Sequence, residues 1–329
     1  MNVAVTGASG HVGVNLVRYL LDEVCKVKAL AYPNGDVLRG LDVELVVGDI
    51  LDHGVLDRAF DDVDLVYHLA GVITLRKSKD ARAQRINVDG TRKVVDACLS
   101  SGVRRLVHFS SIHALSAYPA DAPVDEMRPL CTAQEKAPAY DHTKADAERA
   151  VLSGVARGLD AVIVNPTGII GPHDYGPSLM GRVLLGLMRG RVPALVGGGF
   201  NWVDVRDVCR GAMAAAKAGR RGERYILSGH YVTMREIANH VATLTGVRAP
   251  RLIIPLGIAH AILPFAWALQ TARRRPVALT WASLHALAHH QRVDGSKAER
   301  ELGYHPRPIM ETIQDTVRWF EAAQVVYRN

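Results

Sequence analysis

Residues 139–146 read AYDHTKAD and place a tyrosine four positions before a lysine in a segment of helical character. Positions i and i+4 of a helix face the same side, so Tyr140 and Lys144 would project together into one space. A free phenol has a pKa near 10 and is a poor acid or base at neutral pH. An ammonium group about 4–5 Å away would stabilise the phenolate by about 3–4 kcal/mol at an effective dielectric constant of about 20. The pair is therefore a candidate proton-transfer device in which Lys144 lowers the pKa of Tyr140.

A glycine-rich segment, TGASGHVG (6–13), follows the first strand-like stretch and opens the first helix-like stretch. Gly7 and Gly10 would let the backbone turn tightly and approach a pyrophosphate, and Gly13 would let the helix pack closely against the strand. The free N–H groups and the positive dipole end of that helix also favour phosphate. We therefore expect a dinucleotide to contact this loop through Gly7, Ser9, Gly10, His11, Val12 and Gly13.

The end of the second strand bears on the choice between NAD and NADP. A carboxylate there binds the ribose 2′-hydroxyl of NAD, whereas an arginine accommodates the 2′-phosphate of NADP. This chain has Ala31, Tyr32 and Pro33 at that point, and Arg39 is only a distant partner for a phosphate. We count Tyr32 among the cofactor-contacting residues, and the sequence leaves the choice between NAD and NADP open.

The strands and helices that must position these residues can be predicted from the apolar pattern. Short apolar runs alternate with segments whose apolar residues recur at the spacing of a helix. Such alternation with nearly continuous apolar strands predicts an α/β fold in which helices cover both faces of a parallel sheet. The predicted strands lie at 3–7, 26–32, 43–49, 65–71, 105–111 and 160–166. The predicted helices of the first half lie at 12–23, 53–60, 80–101 and 140–157.

The pattern loosens after Pro166, and the chain from about residue 230 is mostly helical in character. We predict a nucleotide-binding domain at 1–168, to which residues 200–229 return, and a smaller substrate-binding lobe at 169–329. The cleft between the two would hold the ligand. Trp202 is assigned to the core rather than to a ligand.

Composition excludes several classes of function. The net charge of +7 is scattered over the 329 residues, with short arginine runs only at 104–105, 220–221 and 273–275, so nucleic acid is not an expected partner. The four cysteines lie far apart without a C-x-x-C pair, which indicates reduced thiols in a cytoplasmic protein. The first residues, MNVAVTG, enter a strand pattern at once, so no signal peptide is expected.

Two further segments have alternative interpretations. Residues 252–270 are apolar but contain prolines, so we expect a buried lid helix rather than a transmembrane segment; a peripheral membrane contact beside the arginines at 273–275 is the alternative.

His285, His289 and His290 could place two imidazoles on one helix face, as metal ligands would be. No acidic or cysteine partner is evident nearby, so a polar helix face is preferred and no metal is expected.

The ordered set of motifs resembles the extended short-chain dehydrogenase/reductases along nearly the whole chain. That resemblance implies a Rossmann-type doubly wound sheet with a mostly helical C-terminal substrate lobe. Within the superfamily the chain is most similar to the dihydroflavonol reductase and 3β-hydroxysteroid dehydrogenase-like branch, and its tail resembles hopanoid-associated sugar epimerases. The matching motifs are TGASGHVG (6–13), GDI (48–50), YHLAG (67–71), NVDGT (87–91), VRRLVHFSS (103–111), YDHTK (140–144), NPTGIIGP (165–172), VDVRDV (203–208), GERYILSG (222–229) and SKAERELGYHPRP (296–308).

The resemblance implies a role for each catalytic residue. Tyr140 would pass a proton to or from the substrate oxygen, and Lys144 would hold the nicotinamide ribose and lower the pKa of the tyrosine. Ser111 would hydrogen-bond the substrate oxygen, with Ser110 as the competing candidate.

The resemblance also implies further cofactor contacts. Asp49 and Ile50 would contact adenine, and the loop at 69–71 would lie over the pyrophosphate and ribose. Asn87 would order this region, although a helix cap explains a lone asparagine equally well. The residues added to the cofactor set in this way are Asp49, Ile50, Leu69, Ala70, Gly71, Asn87, Pro166 and Thr167, together with Tyr140 and Lys144.

Two classes of reaction remain. Nucleotide-sugar epimerases of this superfamily usually carry a diphosphate-binding arginine just before the VDD-type motif, where this chain has Asn201 and Trp202. Residues 252–287 are also unusually apolar for a diphosphate-sugar site. Both features favour an NAD(P)-dependent oxidoreductase that acts on a lipophilic secondary alcohol or ketone. A nucleotide-sugar epimerase or dehydratase is the alternative.

The resemblance further implies a homodimer that pairs through the helices at 80–101 and 140–157.

Overall fold

The strands form one large sheet and two small ones in a computed structural model that describes residues 1–263 and 280–323. The strands are β1 (Asn2–Thr6), β2 (Lys26–Ala31), β3 (Glu44–Val47), β4 (Leu65–His68), β5 (Arg105–Phe109), β6 (Ala161–Pro166), β7 (Gly168–Ile170), β8 (Ala194–Val196), β9 (Gly199–Asp204), β10 (Arg224–Leu227), β11 (His230–Thr233) and β12 (Leu252–Ile254). Seven of them lie in the order β3-β2-β1-β4-β5-β6-β10, and every neighbouring pair in this sheet is parallel.

The large sheet is doubly wound. The chain builds β1, β2 and β3 outward in one direction and then places β4 on the other side of β1. The strand order therefore reverses between β1 and β4, and ligands of open α/β sheets bind in the crevice at such a reversal. The predicted Rossmann-type fold is confirmed.

Helices join the strands and cover the sheet. They are α1 (His11–Asp22), α2 (His53–Phe60), α3 (Ala81–Ala83), α4 (Gly90–Ser100), α5 (Ala139–Ala156), α6 (Leu179–Met188), α7 (Val205–Ala218) and α8 (Met234–Thr245), followed by Trp281–Ala288, Ser296–Leu302 and Ile309–Ala323. The predicted helix at 80–101 is interrupted by a π-helical turn, Gln84–Asp89, between α3 and α4. Such turns are frequent at functional sites, and this one carries Asn87.

The core of the large sheet has two layers. Because successive strand residues face opposite sides, Val3 and Val5 pack on the side of α1, whereas Ala4 packs on the side of α2 with Phe60. All four side chains have no exposed surface. This two-sided burial explains why the strands of the large sheet read as continuous apolar runs.

The C-terminal region adds a three-stranded sheet, in the order β7-β9-β11, and the pair β8-β12. Trp202 lies in its core with 1% of its surface exposed, and its indole N–H donates to the Val232 carbonyl oxygen at 3.0 Å. The assignment of this tryptophan to the core is confirmed. Within 200–229, β9 belongs to the small sheet and β10 pairs with β6 in the large one. The domain boundary at residue 168 stays a prediction.

The prediction of one buried helix over residues 252–270 is wrong for the first residues of that range. Leu252–Ile254 form a strand because they pair in parallel with Ala194–Val196, and Leu252 is 59% exposed. Helical structure follows at 256–263, while residues 264–270 and the arginines at 273–275 lie outside the described residues. Within 1–263 and 280–323, no helix has the length and apolar character needed to cross a membrane.

Candidate active site

The glycine loop joins β1 to α1 and packs closely against the neighbouring backbone. Gly7 has a φ of +69°, and a Cβ atom there would lie 2.7 Å from the backbone nitrogen of Ala70. A Cβ at Gly13 would overlap the carbonyl oxygen of Gly7, which shows how closely α1 approaches the loop. Among the described side chains none caps the first turn of α1, so its N–H groups face the loop without a side-chain partner. These features fit a dinucleotide pyrophosphate.

The loop after β4 lies against the glycine loop. The Ala70 N–H donates to the Thr6 hydroxyl at 3.3 Å, and the same hydroxyl is 2.7 Å from Nδ1 of His68. Leu69 and Ala70 are thereby held beside Gly7, and the contact of residues 69–71 with a cofactor stays a prediction.

Asn87 connects this loop to α5. Its side-chain oxygen accepts from the Val72 N–H at 2.8 Å, and its amide group donates to the Val72 carbonyl oxygen at 3.0 Å and to the Thr143 hydroxyl at 3.1 Å. The side chain therefore acts as a cross-link between loop and helix, and not as the helix cap that the sequence left open.

The remaining predicted cofactor residues lie at the ends of three strands. Tyr32 follows β2 and is 64% exposed, and the Asp49 carboxylate after β3 accepts from the Leu51 N–H at 3.0 Å. Ile50 is 5% exposed and packs into the core. Pro166 ends β6, and the buried Thr167 hydroxyl has no hydrogen-bond partner within the described ranges. Cofactor contacts by these residues stay a prediction.

The three predicted catalytic residues meet beyond the carboxyl end of β5. Ser111 opens a 3₁₀ turn, Ile112–Ala114, and its hydroxyl accepts from the His113 N–H at 3.2 Å. The Tyr140 hydroxyl, from the first turn of α5, lies close enough to the Ser111 side chain for that side chain to lower the pKa of the phenol. One turn later the Lys144 ammonium donates to the Phe109 carbonyl oxygen at 2.7 Å.

Burial controls the protonation of this group. It raises the pKa of Tyr140 to about 12, against the opposing effect of the Ser111 side chain. It also lowers the pKa of Lys144 to about 8, against the opposing charge of Glu148. The expectation of an acidic tyrosine is therefore wrong for the protein alone, because loss of water disfavours the phenolate more than the neighbouring side chains stabilise it.

Ser110 is turned away from Tyr140 and belongs to a buried polar network. Its hydroxyl donates to the Glu148 carboxylate at 2.7 Å, as does the Asn165 amide at 3.0 Å and the Arg224 Nε at 2.8 Å. Asn165 also donates to the Ser111 carbonyl oxygen at 3.0 Å, which fixes the backbone of the catalytic serine. Glu148 is not among the residues predicted from the sequence, although it lies four residues after Lys144 and thus on the same helix face.

The histidines considered as metal ligands pack against one another. The rings of His285 and His289 stack with centroids 4.0 Å apart. In the part of the chain that the structure describes, no three histidine, cysteine, aspartate or glutamate side chains are arranged to hold a metal ion.

Comparisons with known proteins identify the family of the chain. The sequence profile of the NAD dependent epimerase/dehydratase family matches residues 3–228. The sterol demethylase protein B of Methylococcus capsulatus is 37% identical over 324 residues, which cover 97% of this chain and 98% of that protein. The 4-hydroxy-2-methyl-3-oxo-4-farnesyl-3,4-dihydroquinoline-1-oxide ketoreductase of Stigmatella aurantiaca is 29% identical and covers 97% of this chain and 96% of its own length.

Solved structures show the same architecture. The dTDP-glucose 4,6-dehydratase DesIV of Streptomyces venezuelae, with NAD and TYD bound, superposes with a TM-score of 0.80 at 25% identity, over 100% of this chain and 99% of that one. The chain therefore belongs to the NAD dependent epimerase/dehydratase family, and it is an NAD(P)-dependent enzyme of the extended short-chain dehydrogenase/reductase type that acts on CH–OH groups.

Proposed function

We propose that the protein catalyses hydride transfer between a nicotinamide cofactor and a secondary alcohol or ketone of a lipophilic small molecule. The observation that carries this proposal is the meeting of Ser111, Tyr140 and Lys144 next to a glycine loop that fits a dinucleotide. The choice of a lipophilic substrate over a sugar nucleotide rests on the residues that precede VDVRDV.

The bound nicotinamide would supply or accept the hydride. In the direction of reduction, Tyr140 would donate its proton to the carbonyl oxygen of the substrate, and the Ser111 hydroxyl would hold that same oxygen. In the direction of oxidation, Tyr140 would take the proton of the alcohol. The pKa of about 12 favours the protonated phenol, so the protein alone is poised to donate a proton. A positive charge close by would be needed to make Tyr140 a base at neutral pH.

Asn201 and Trp202, which stand where sugar-nucleotide enzymes usually carry an arginine, make structural contacts in this protein. The Asn201 side chain accepts from the Gly229 N–H at 2.8 Å, and Trp202 is buried with its N–H bound to Val232. The nearby Arg206 is paired with Asp204 and with Asp315, each at 2.7 Å. These three side chains are therefore committed to contacts within the protein.

The names of relatives agree with a lipophilic substrate. The relative from Stigmatella aurantiaca is named as the reductase of a farnesyl-bearing ketone, and the one from Methylococcus capsulatus is named for sterol demethylation. The alternative, a nucleotide-sugar epimerase or dehydratase with tightly held NAD, is favoured by the likeness to the dTDP-glucose 4,6-dehydratase DesIV.

Turnover assays with free cofactor separate these two reactions. An oxidoreductase consumes or produces reduced nicotinamide in proportion to a lipophilic alcohol or ketone, whereas interconversion of sugar nucleotides without net change in nicotinamide absorbance would contradict the proposal. Replacement of the phenolic hydroxyl, Tyr140→Phe, should lower kcat by about 10²–10⁴-fold. Tyr231→Phe, at a half-exposed tyrosine, is the matched control.

A thermal-shift panel with NAD, NADP and UDP-sugars would settle the cofactor, because a ligand that binds only the folded state raises its stability. We infer that the protein can bind either NAD or NADP, because the uncharged Tyr32 and Pro33 neither attract nor repel a 2′-phosphate. Arg39 is 85% exposed and paired with Asp36, so we expect Arg39→Ala to leave the ratio of the two affinities unchanged.

The location of the protein in the cell and its oligomeric state are also proposals. Described cysteines are free thiols, three of them buried, which supports a cytoplasmic location. We propose a homodimer formed through α4 and α5, and light scattering that shows a monomer would contradict it. A peripheral membrane contact near residues 273–275 stays an alternative that vesicle co-sedimentation would test.

A further inference from the structure

A chain of hydrogen bonds passes through His68 at the end of β4. The Ala70 N–H donates to the Thr6 hydroxyl at 3.3 Å, and that hydroxyl lies 2.7 Å from Nδ1 of His68. On the other side of the ring, Nε2 lies 2.9 Å from the Thr91 hydroxyl, which donates to the Asn87 carbonyl oxygen at 2.6 Å. The imidazole therefore stands between the loop after β4 and the π-helical turn.

The ring is withdrawn from water and carries no charge. His68, Thr6 and Thr91 are each at most 1% exposed. Burial, and after it the charge of Lys144, lowers the pKa of His68 to about 3, so the imidazole is neutral at pH 7. A neutral imidazole has one N–H donor and one bare nitrogen that accepts.

The carbonyl group at one end fixes the direction of every bond in the chain. A carbonyl oxygen only accepts, so the Thr91 hydroxyl gives its proton to Asn87, and Nε2 of His68 must carry the hydrogen that it shares with Thr91. Nδ1 is then the bare nitrogen, and it accepts from the Thr6 hydroxyl, which in turn accepts from Ala70. Each proton is used once, and His68 is the Nε2–H tautomer.

Both ends of the chain lie at the proposed cofactor site. Thr6 directly precedes Gly7, where a Cβ atom would lie only 2.7 Å from the nitrogen of Ala70. At the other end, the side chain of Asn87 donates to the Thr143 hydroxyl of α5, the helix that carries the proposed catalytic pair. The chain thus connects the glycine loop to the catalytic helix.

We propose that His68 is a positioning residue of the cofactor site, which holds the Ala70 N–H and the start of the glycine loop in place for the dinucleotide. Imidazole suits this task because its acceptor and its donor are two ring atoms that point in different directions. The residue would act through Thr6 and Ala70 rather than by its own contact with the dinucleotide. The inference rests on the proposed function in one respect, the placement of the dinucleotide at the glycine loop.

His108 offers a matched control. It stands opposite His68 in the register of β4 and β5, it is 2% exposed, and the two ring centroids lie 5.3 Å apart. Neither of its ring nitrogens has a hydrogen-bond partner among the residues that the structure describes. Two buried imidazoles side by side thus differ in whether they join the chain.

Calorimetric titration of the full-length protein with NAD and with NADP shows which dinucleotide the wild type binds more tightly. For that dinucleotide we expect His68→Leu to raise the Kd by about tenfold or more, as loss of one or two buried hydrogen bonds allows. His108→Leu removes no hydrogen bond seen in the described ranges and should leave the Kd unchanged. Equal Kd values in folded His68→Leu and in the wild type overturn the proposal.

Two amide variants separate positioning from a general loss of stability, and they supply the test if His68→Leu does not fold. His68→Asn brings its amide oxygen to the place of Nδ1 and can still accept from Thr6. His68→Gln reaches Thr91 with its amide N–H and leaves the Thr6 hydroxyl without an acceptor. The Kd should therefore be about tenfold higher in His68→Gln than in His68→Asn. Equal Kd values in the two, or tighter binding by His68→Gln, would contradict the proposal whatever their Tm values.

Nuclear magnetic resonance of the protein with isotopically labelled histidine tests the tautomer. The His68 signals, identified by their loss in His68→Asn, should show a hydrogen on Nε2 and none on Nδ1 at pH 7. A hydrogen on Nδ1 overturns the proposed chain.

Failure of the proposed reaction gives a different result. Dinucleotide binding that follows these expectations, without oxidation of reduced nicotinamide by lipophilic ketones, contradicts the reaction and supports the role of His68. A wild type that binds neither dinucleotide overturns both.

Discussion

The side chain of Ser111, just beyond the end of β5, lies close enough to the Tyr140 hydroxyl to lower the pKa of the phenol. The neighbouring serine, Ser110, donates instead to the buried Glu148. Adjacent serines in a strand ending point to opposite sides. The structure thereby gives the two hydroxyl groups different tasks, one toward the proposed substrate and one toward the core.

This division predicts different results for the two alanine substitutions. Ser111→Ala should lower kcat by about a hundredfold, because it removes a donor to the reacting oxygen, with little change in Tm. Ser110→Ala should lower the free energy of unfolding by about 1–2 kcal/mol, because Glu148 loses one partner, and should lower kcat far less. Steady-state kinetics and urea unfolding of both variants are the measurements. Equal losses of kcat in the two would contradict the assignment of Ser111.

Much of this site follows from the sequence because its signals are local. The glycine spacing, the alternation of strands and helices, and the Tyr140–Lys144 spacing each depend on residues within one or two turns. The interruption of the helix at 80–101 could not be seen in the same way. The π-helical turn carries Asn87, whose side-chain partners at Val72 and Thr143 lie in other elements.

Burial was the main quantity that the sequence could not supply. The predicted direction of the Tyr140 pKa is wrong because the phenol is buried, and burial disfavours the phenolate. Nothing in the local sequence indicates that His290 lies beside His113, because the two residues are far apart along the chain. Likewise, the start of 252–270 forms a strand because of its pairing with β8, a contact between distant residues.

Lys144 should decrease stability while supporting catalysis. Its pKa of about 8 in the folded protein lies below the ordinary value of 10.5, so its charge costs the folded state up to about 3 kcal/mol. The cost is complete below pH 8 and disappears as the pH rises toward 10.5. Lys144→Met loses the hydrogen bond to Phe109 but should still be about 1–2 kcal/mol more stable than the wild type at pH 7, with kcat at least a hundredfold lower.

Chemical denaturation of this variant at pH 7 and at pH 10 tests the sign. The advantage of Lys144→Met should shrink at the higher pH, whereas Lys136→Met, at an exposed lysine, should show no such dependence. A Met variant that is less stable than the wild type at both values would show that the ammonium group is a net stabilising contact.

Asn87→Ala should weaken both the fold and the cofactor site. The substitution leaves the Val72 N–H without its partner and frees the loop that carries Gly71. We expect a loss of about 1–3 kcal/mol in the free energy of unfolding and a smaller increase in Tm on addition of NAD. Asn239→Ala, at an exposed position of α8, is the control. Unchanged NAD affinity in folded Asn87→Ala would show that the cross-link serves stability alone.

Gly13→Ala should destabilise the protein even though alanine favours a helix, because α1 approaches the glycine loop too closely for a side chain. A Cβ at this position would overlap the Gly7 carbonyl oxygen and lie 2.8 Å from the Cα atom of Ala8, both of them backbone atoms that cannot turn aside. The helix would have to move away from the loop, at a cost of about 1–3 kcal/mol, and the N–H groups that face the phosphates would move with it. Gly257→Ala places a methyl group in open space within a helical segment, so it should leave cofactor binding unchanged and raise stability by up to about 1 kcal/mol through helix propensity. Calorimetric titration with NAD measures the difference, and a Gly13→Ala protein with the affinity and Tm of the wild type would show that the glycine loop is not where the dinucleotide binds.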